Sequence, residues 1–163
     1  CGTGVLELAY ELVKQGIVDK TGTFQESYRE NGYPVAVTAD GKQLVFTQED
    51  MRQLQMAKAA IRSGIEILLT EKGLSPEEVS TVYLAGGLGY KLNAYKAAGI
   101  GLLPVKLRDK AVAVGNSSLS GALKYLEQSE DEKLKQLVER TREMNLAAHP
   151  GFESLYYRNM NFV

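Results

Sequence analysis

Cysteine and histidine are all but missing from this sequence, with Cys1 and His149 the single examples of each. One cysteine excludes an internal disulfide and fits a reducing, cytoplasmic setting. With one histidine beside it, a zinc or iron–sulfur site built by these residues is nearly excluded, and no metal ligands are expected. An excess of one charge is also lacking: the net charge is −1 and no basic stripe is present, so nucleic acid is not an expected partner. No apolar run approaches the roughly 20 residues that span a bilayer, and no signal pattern is visible, so no membrane association is expected.

What remains is ordinary globular composition: 163 residues, 44% apolar and 24% charged, enough for one domain with a real core. The chain opens on Cys1-Gly2-Thr3-Gly4 with no Met and runs directly into helical pattern. That start is read as a fragment of a longer polypeptide, a single lobe over 1–163.

Two segments share one plan. Thr81 to Ala85 is an apolar strand entering Gly86-Gly87-Leu88-Gly89, and Val112 to Val114 leads through Gly115-Asn116-Ser117-Ser118 into a helix start. Strand, tight glycine turn and helix is how α/β proteins bring backbone N–H groups to a phosphate or nucleotide. Neither copy is G-x-G-x-x-G or a Walker loop.

Around these, the pattern predicts a helix over Val5 to Val13 capped near Gly16, a turn at Asp19 to Thr23, and a hairpin of Pro34–Thr38 and Gln43–Phe46 about Asp40-Gly41. Thr47 and Asp50 form a capping box for a long helix whose apolar positions run Leu54, Ala57, Ile61, Ile65 and Leu68, ended by Gly73. Ser75-Pro76-Glu77-Glu78 reads as a second helix start. One or two helical turns are expected over Leu92 to Ala98, a strand over Ala111 to Val114, and helices over Ser117–Leu126 and Glu130–Met144. A last strand is expected over Leu155 to Val163. The order is α/β, parallel in its second part.

Each candidate site has a plain structural reading beside the functional one. Gly86 and Gly87 either serve a tight connection or let backbone lie flat on a purine or ribose, where a Cβ would clash. Asn116 and Ser117 cap a helix or face a ligand. Lys58 and Arg62, four apart beside the apolar stripe, snorkel to solvent or form the basic lip of a nucleotide pocket. Cys1 to Gly4 is a phosphate-facing turn or simple helix packing. Asp19 to Thr23 is a plain turn, and His149 has no catalytic partner at suggestive spacing.

The segments in order (1–7, 16–24, 47–52, 57–65, 83–89, 100–104 and 114–122) resemble the C-terminal part of the reductive activators of corrinoid proteins. The resemblance covers nearly the whole chain and is weakest beyond Glu127. It implies half of an actin-like, ribonuclease-H-like ATPase (ASKHA) domain, a mixed sheet flanked by helices that forms one wall of an ATP cleft. Leu84 to Gly87 then match the adenosine motif, with Leu88 at a usually aromatic position. Gly115 to Ala122, including Asn116 and Ser117, match a connecting helix, and Lys58 and Arg62 lie on the helix bordering the adenine. The resemblance further implies ATP with Mg²⁺ and a ferredoxin-type 2Fe-2S cluster in the parent protein, neither the cluster nor the Asp-Gly-Thr phosphate turns being supplied here. No catalytic residue is expected in the chain. It implies a corrinoid protein as partner, reduced from Co(II) to Co(I), and allows a homodimer. A kinase or dehydratase-activator lobe on the same fold, and a scaffold or dimerisation module, stand as alternatives.

Overall fold

The computed structural model describes residues 2–128 and 131–163; Cys1 and the expected helix start at Glu130 lie outside them. Helix α1 (Gly2–Lys14) begins at once, so Gly2 to Gly4 form its first turn rather than a loop before it. Its face of Leu6, Ala9 and Leu12 is buried, the three-four spacing of an amphipathic helix. Gly16, at φ 71°, reverses the chain. A short helix α2 (Glu26–Arg29) leads into β1 (Tyr33–Val37) and β2 (Gln43–Phe46), which pair antiparallel with an irregularity between Pro34 and Ala36. Gly41 takes φ 81° in the connecting turn, as the Asp-Gly signal requires.

Helix α3 (Gln48–Glu71) starts at the expected box. The Thr47 hydroxyl accepts from the Asp50 N–H at 3.2 Å, and the Thr47 N–H donates to the Asp50 carboxylate at 2.9 Å. Gly73, at φ 64°, terminates it. The expected helix at Ser75 is instead a single turn. Ser75 does hydrogen-bond to the Glu78 carboxylate, but the Lys110 ammonium takes the Pro76 and Glu77 carbonyls. Too few residues separate this turn from the next strand to repay helix nucleation.

Strand β3 (Val82–Ala85) passes into α4 (Gly86–Tyr90), then α5 (Ala94–Gly99) and a 3₁₀ segment. Strand β4 (Ala111–Gly115) pairs parallel with β3 and is followed by α6 (Ser117–Gln128) and α7 (Asp131–Arg140). The α/β class is as expected, with its strands divided between two two-stranded sheets. The last strand expected from the sequence is helix α8 (Phe152–Met160). Phe152, Leu155, Tyr156, Asn159 and Met160 are its sheltered positions, a helical period, and it packs along α3.

The core gathers α1, α3, α5, Val18, Phe24, Phe46, the 100–103 loop and Phe162. By contrast α6 and α7 bury no residue, and Tyr83, Val112 and Val114 on the parallel pair are exposed. Parallel strands are ordinarily covered on both faces. Among the described residues no helix is long and apolar enough to cross a membrane.

Candidate functional site

The two glycine turns come side by side because their strands pair. The ladder runs Val82 to Ala111, Tyr83 to Val112 and Leu84 to Ala113, then slips so that Ala85 meets Gly115. Both turns therefore leave the carboxyl ends of neighbouring parallel strands, the edge where open α/β sheets bind ligands.

The glycines of the first turn have separate causes. Gly86 takes φ 82°, a conformation that side chains resist. Gly89 packs on the strand it has just left: a Cβ there would stand 2.9 Å from the Leu84 carbonyl carbon. Gly87 has neither constraint, since its φ is ordinary and, its chain neighbours and the backbone of its own helix aside, no atom lies within 4 Å of where its Cβ would be. The fold does not require glycine at 87, and its absent side chain leaves bare backbone facing open space. Leu88 leans toward the start of α1, its Cδ1 3.0 Å from the Cβ position of Gly2.

In the second turn Gly115 takes φ 69°. The Asn116 amide oxygen accepts from the Leu119 N–H at 3.1 Å and the Ser120 hydroxyl donates to the Asn116 carbonyl at 3.1 Å, closing the first turn of α6. Ser117 is exposed at the helix start. The structure thus brings Gly86, Gly87, Leu88, Asn116 and Ser117 to one edge.

Lys58 and Arg62 belong to a second cluster, against α8 and the tail that follows it. Lys58 is fully buried. Its ammonium donates to the carbonyls of Asn159 at 2.5 Å and Asn161 at 2.7 Å and lies 4.9 Å from the Phe162 ring centre. Burial, and then the Arg62 charge, push the Lys58 ammonium down to about 8. The Arg62 Nε donates to Glu66 at 2.6 Å, and the other Glu66 oxygen accepts from Arg158 at 2.5 Å. These three charged groups line a cleft of about 410 Å³ with Asn159 and Asn161.

The sequence reading missed the other two buried polar residues of α3. Gln55 donates to the Met160 carbonyl at 2.8 Å and to Thr21 at 3.0 Å, and Ser63 accepts from the Asn159 amide at 3.1 Å. Their signal was polar residues on the inward face of an amphipathic helix. Among the described residues no cluster of three or more His, Cys, Asp or Glu could hold a metal.

Comparison with known proteins agrees with this architecture. The family model described as the C-terminal domain of RACo, the ASKHA domain, matches residues 1–163. The chain is 30% identical over 183 residues to the corrinoid activation enzyme RamQ of Eubacterium limosum, covering 99% of this chain and 31% of that protein. It is 24% identical over 166 residues to the [Co(II) methylated amine-specific corrinoid protein] reductase of Methanosarcina barkeri, covering 99% and 28%. A solved structure of a reductive activator for corrinoid, iron-sulfur protein superposes with a TM-score of 0.88 at 30% identity, over 99% of this chain and 28% of that one. The chain therefore spans less than a third of each of these relatives. With its whole length matched and its parallel strand–turn–helix pair in place, the chain belongs to the family of the RACo C-terminal ASKHA domain.

Proposed function

We propose that this chain is the adenosine-binding lobe of an ATP-dependent reductive activator, a protein that returns a corrinoid cofactor from Co(II) to Co(I). The observation carrying the reading is Gly87: a glycine that backbone geometry and packing leave unexplained, at the strand edge where a nucleotide would lie. Gly86, Gly87 and Leu88 supply a flat backbone wall, and Asn116 and Ser117 supply polar groups from the neighbouring turn. Arg62 stands apart from this edge, its Nε bonded to Glu66 in the cleft against α8, and is not part of the proposed wall. Lys58 lies on the same helix and is committed to the tail beneath it.

ATP fits this edge as adenosine. Its Mg²⁺ and the attacking water need carboxylates that these turns do not contain, so hydrolysis requires the rest of the protein. With one cysteine in the chain, a 2Fe-2S cluster would also be ligated elsewhere. Such a cluster would supply the single electron that Co(II) needs, and the part of this chain's residues would be to hold the adenosine of the ATP coupled to that transfer. The partner is a corrinoid protein, as the names of the relatives suggest. The apolar side chains exposed on α6 and α7, Leu123 and Leu137 among them, favour docking of that protein or of a second copy.

Cobalt reduction followed by visible absorbance tests the reading, with the full-length protein, its corrinoid protein, a reductant and ATP. ATP-dependent formation of Co(I), lost in Gly87→Val, is expected. An unchanged Co(II) spectrum with a proven partner would overturn it in favour of a kinase-like or scaffold lobe.

A further inference from the structure

We propose that Tyr90 is the stacking platform for the adenine base; the inference rests on the nucleotide reading above. Tyr90 is the last residue of α4, and its ring reaches the turn that follows β4. A Cβ on Gly115 would stand 3.8 Å from Cδ2 of Tyr90, so the ring abuts the second turn while belonging to the first. The residue is 60% exposed, and the phenol has no hydrogen-bond partner among the described residues. An exposed aromatic side chain from the first turn thus touches the second.

Other exposed tyrosines are placed differently. Tyr83 stands on β3 itself, Tyr95 meets the Tyr10 ring and the Arg108 guanidinium, and Tyr157 packs edge-on to Tyr156. Tyr90 alone of these four sits at the carboxyl edge of the parallel pair. The phenol O–H can donate to a phosphate, which Tyr90→Phe tests, but the ring face offers a phosphate nothing, whereas every nucleobase has a π face that stacks on it. The ring's position at this edge therefore places the base over Tyr90, with the ribose and phosphates continuing along the two turns.

The test is equilibrium titration of full-length protein with ATP and with inorganic tripolyphosphate, in wild type, Tyr90→Phe, Tyr90→Ala and Gly87→Val. Tyr90→Ala is expected to weaken ATP binding by roughly five- to a hundredfold, with tripolyphosphate unaffected and Tyr90→Phe near wild type. The near-ultraviolet hypochromism of bound adenine should vanish in Tyr90→Ala, and this readout decides if tripolyphosphate binds too weakly to measure. If Tyr90→Ala binds ATP as wild type does while Gly87→Val fails, stacking is wrong and the nucleotide reading stands. Equal losses for ATP and tripolyphosphate would place the ring in the fold rather than at the base, again overturning the inference. If wild type binds no ATP, or Gly87→Val binds it unchanged, both readings fall.

Discussion

The Lys58 ammonium reaches beneath the C-terminal segment and donates to the Asn161 carbonyl at 2.7 Å, more than a hundred residues along the chain. A second bond to Asn159 and the Phe162 ring complete its surroundings. A buried cation this well matched specifies one register for the tail, because each alternative leaves a charge or a carbonyl unpaired.

Lys58→Met keeps the aliphatic stem and strands two carbonyls. We expect a loss of about 2–4 kcal/mol in unfolding free energy, with faster amide exchange concentrated at 159–162. A midpoint in urea matching wild type would show that the bonds contribute nothing.

The same group gives a pH dependence. Its value falls from 10.5 to about 8 on folding, so between those limits the unfolded chain binds more protons than the native one. Stability attributable to Lys58 therefore rises with pH across that window, by at most about 1.4 kcal/mol per unit, and is level below it. Arg62 opposes the cation, while the two carbonyls and the ring favour it and hold the slope under that ceiling. Urea titrations through the window, wild type minus Lys58→Met, should give a positive slope; a flat or falling difference would refute the assignment.

Gly22 holds φ 80°, and a Cβ there would run into the Gln55 amide. Gly22→Ala is expected to cost about 2–4 kcal/mol from backbone strain and overpacking together. A thermal midpoint within a degree or so of wild type would contradict this.

Gly87 should behave in the opposite way. With an ordinary φ and open space around it, Gly87→Ala is expected to leave stability unchanged or raise it by up to about 1 kcal/mol. The same variant should bind ATP more weakly. Destabilisation with intact binding would reassign Gly87 to the fold.

Local rules made much of this structure legible. Thr47 and Asp50 mark the start of α3, Asp40-Gly41 marks the hairpin, and two apolar runs ending in glycine mark β3 and β4. The α8 segment was misread because Leu155 to Val163 alternates passably, although Phe152, Leu155, Tyr156 and Asn159 already carried a period between three and four. The purpose of Lys58 was not legible, since its acceptors are backbone carbonyls far along the chain and have no residue signature. Tyr90 was overlooked for a related reason: its position depends on the pairing of two strands, and α4 is too short to show a face in the pattern.

Gln55, Lys58 and Ser63 fasten α3 to the segment 159–161 over a rise of about 12 Å. A helix pinned at three heights can neither slide nor roll against its neighbour without parting all of these bonds together. α3 and α8 must therefore move as one lever, and any motion that opens or shuts a cleft has its pivot outside them.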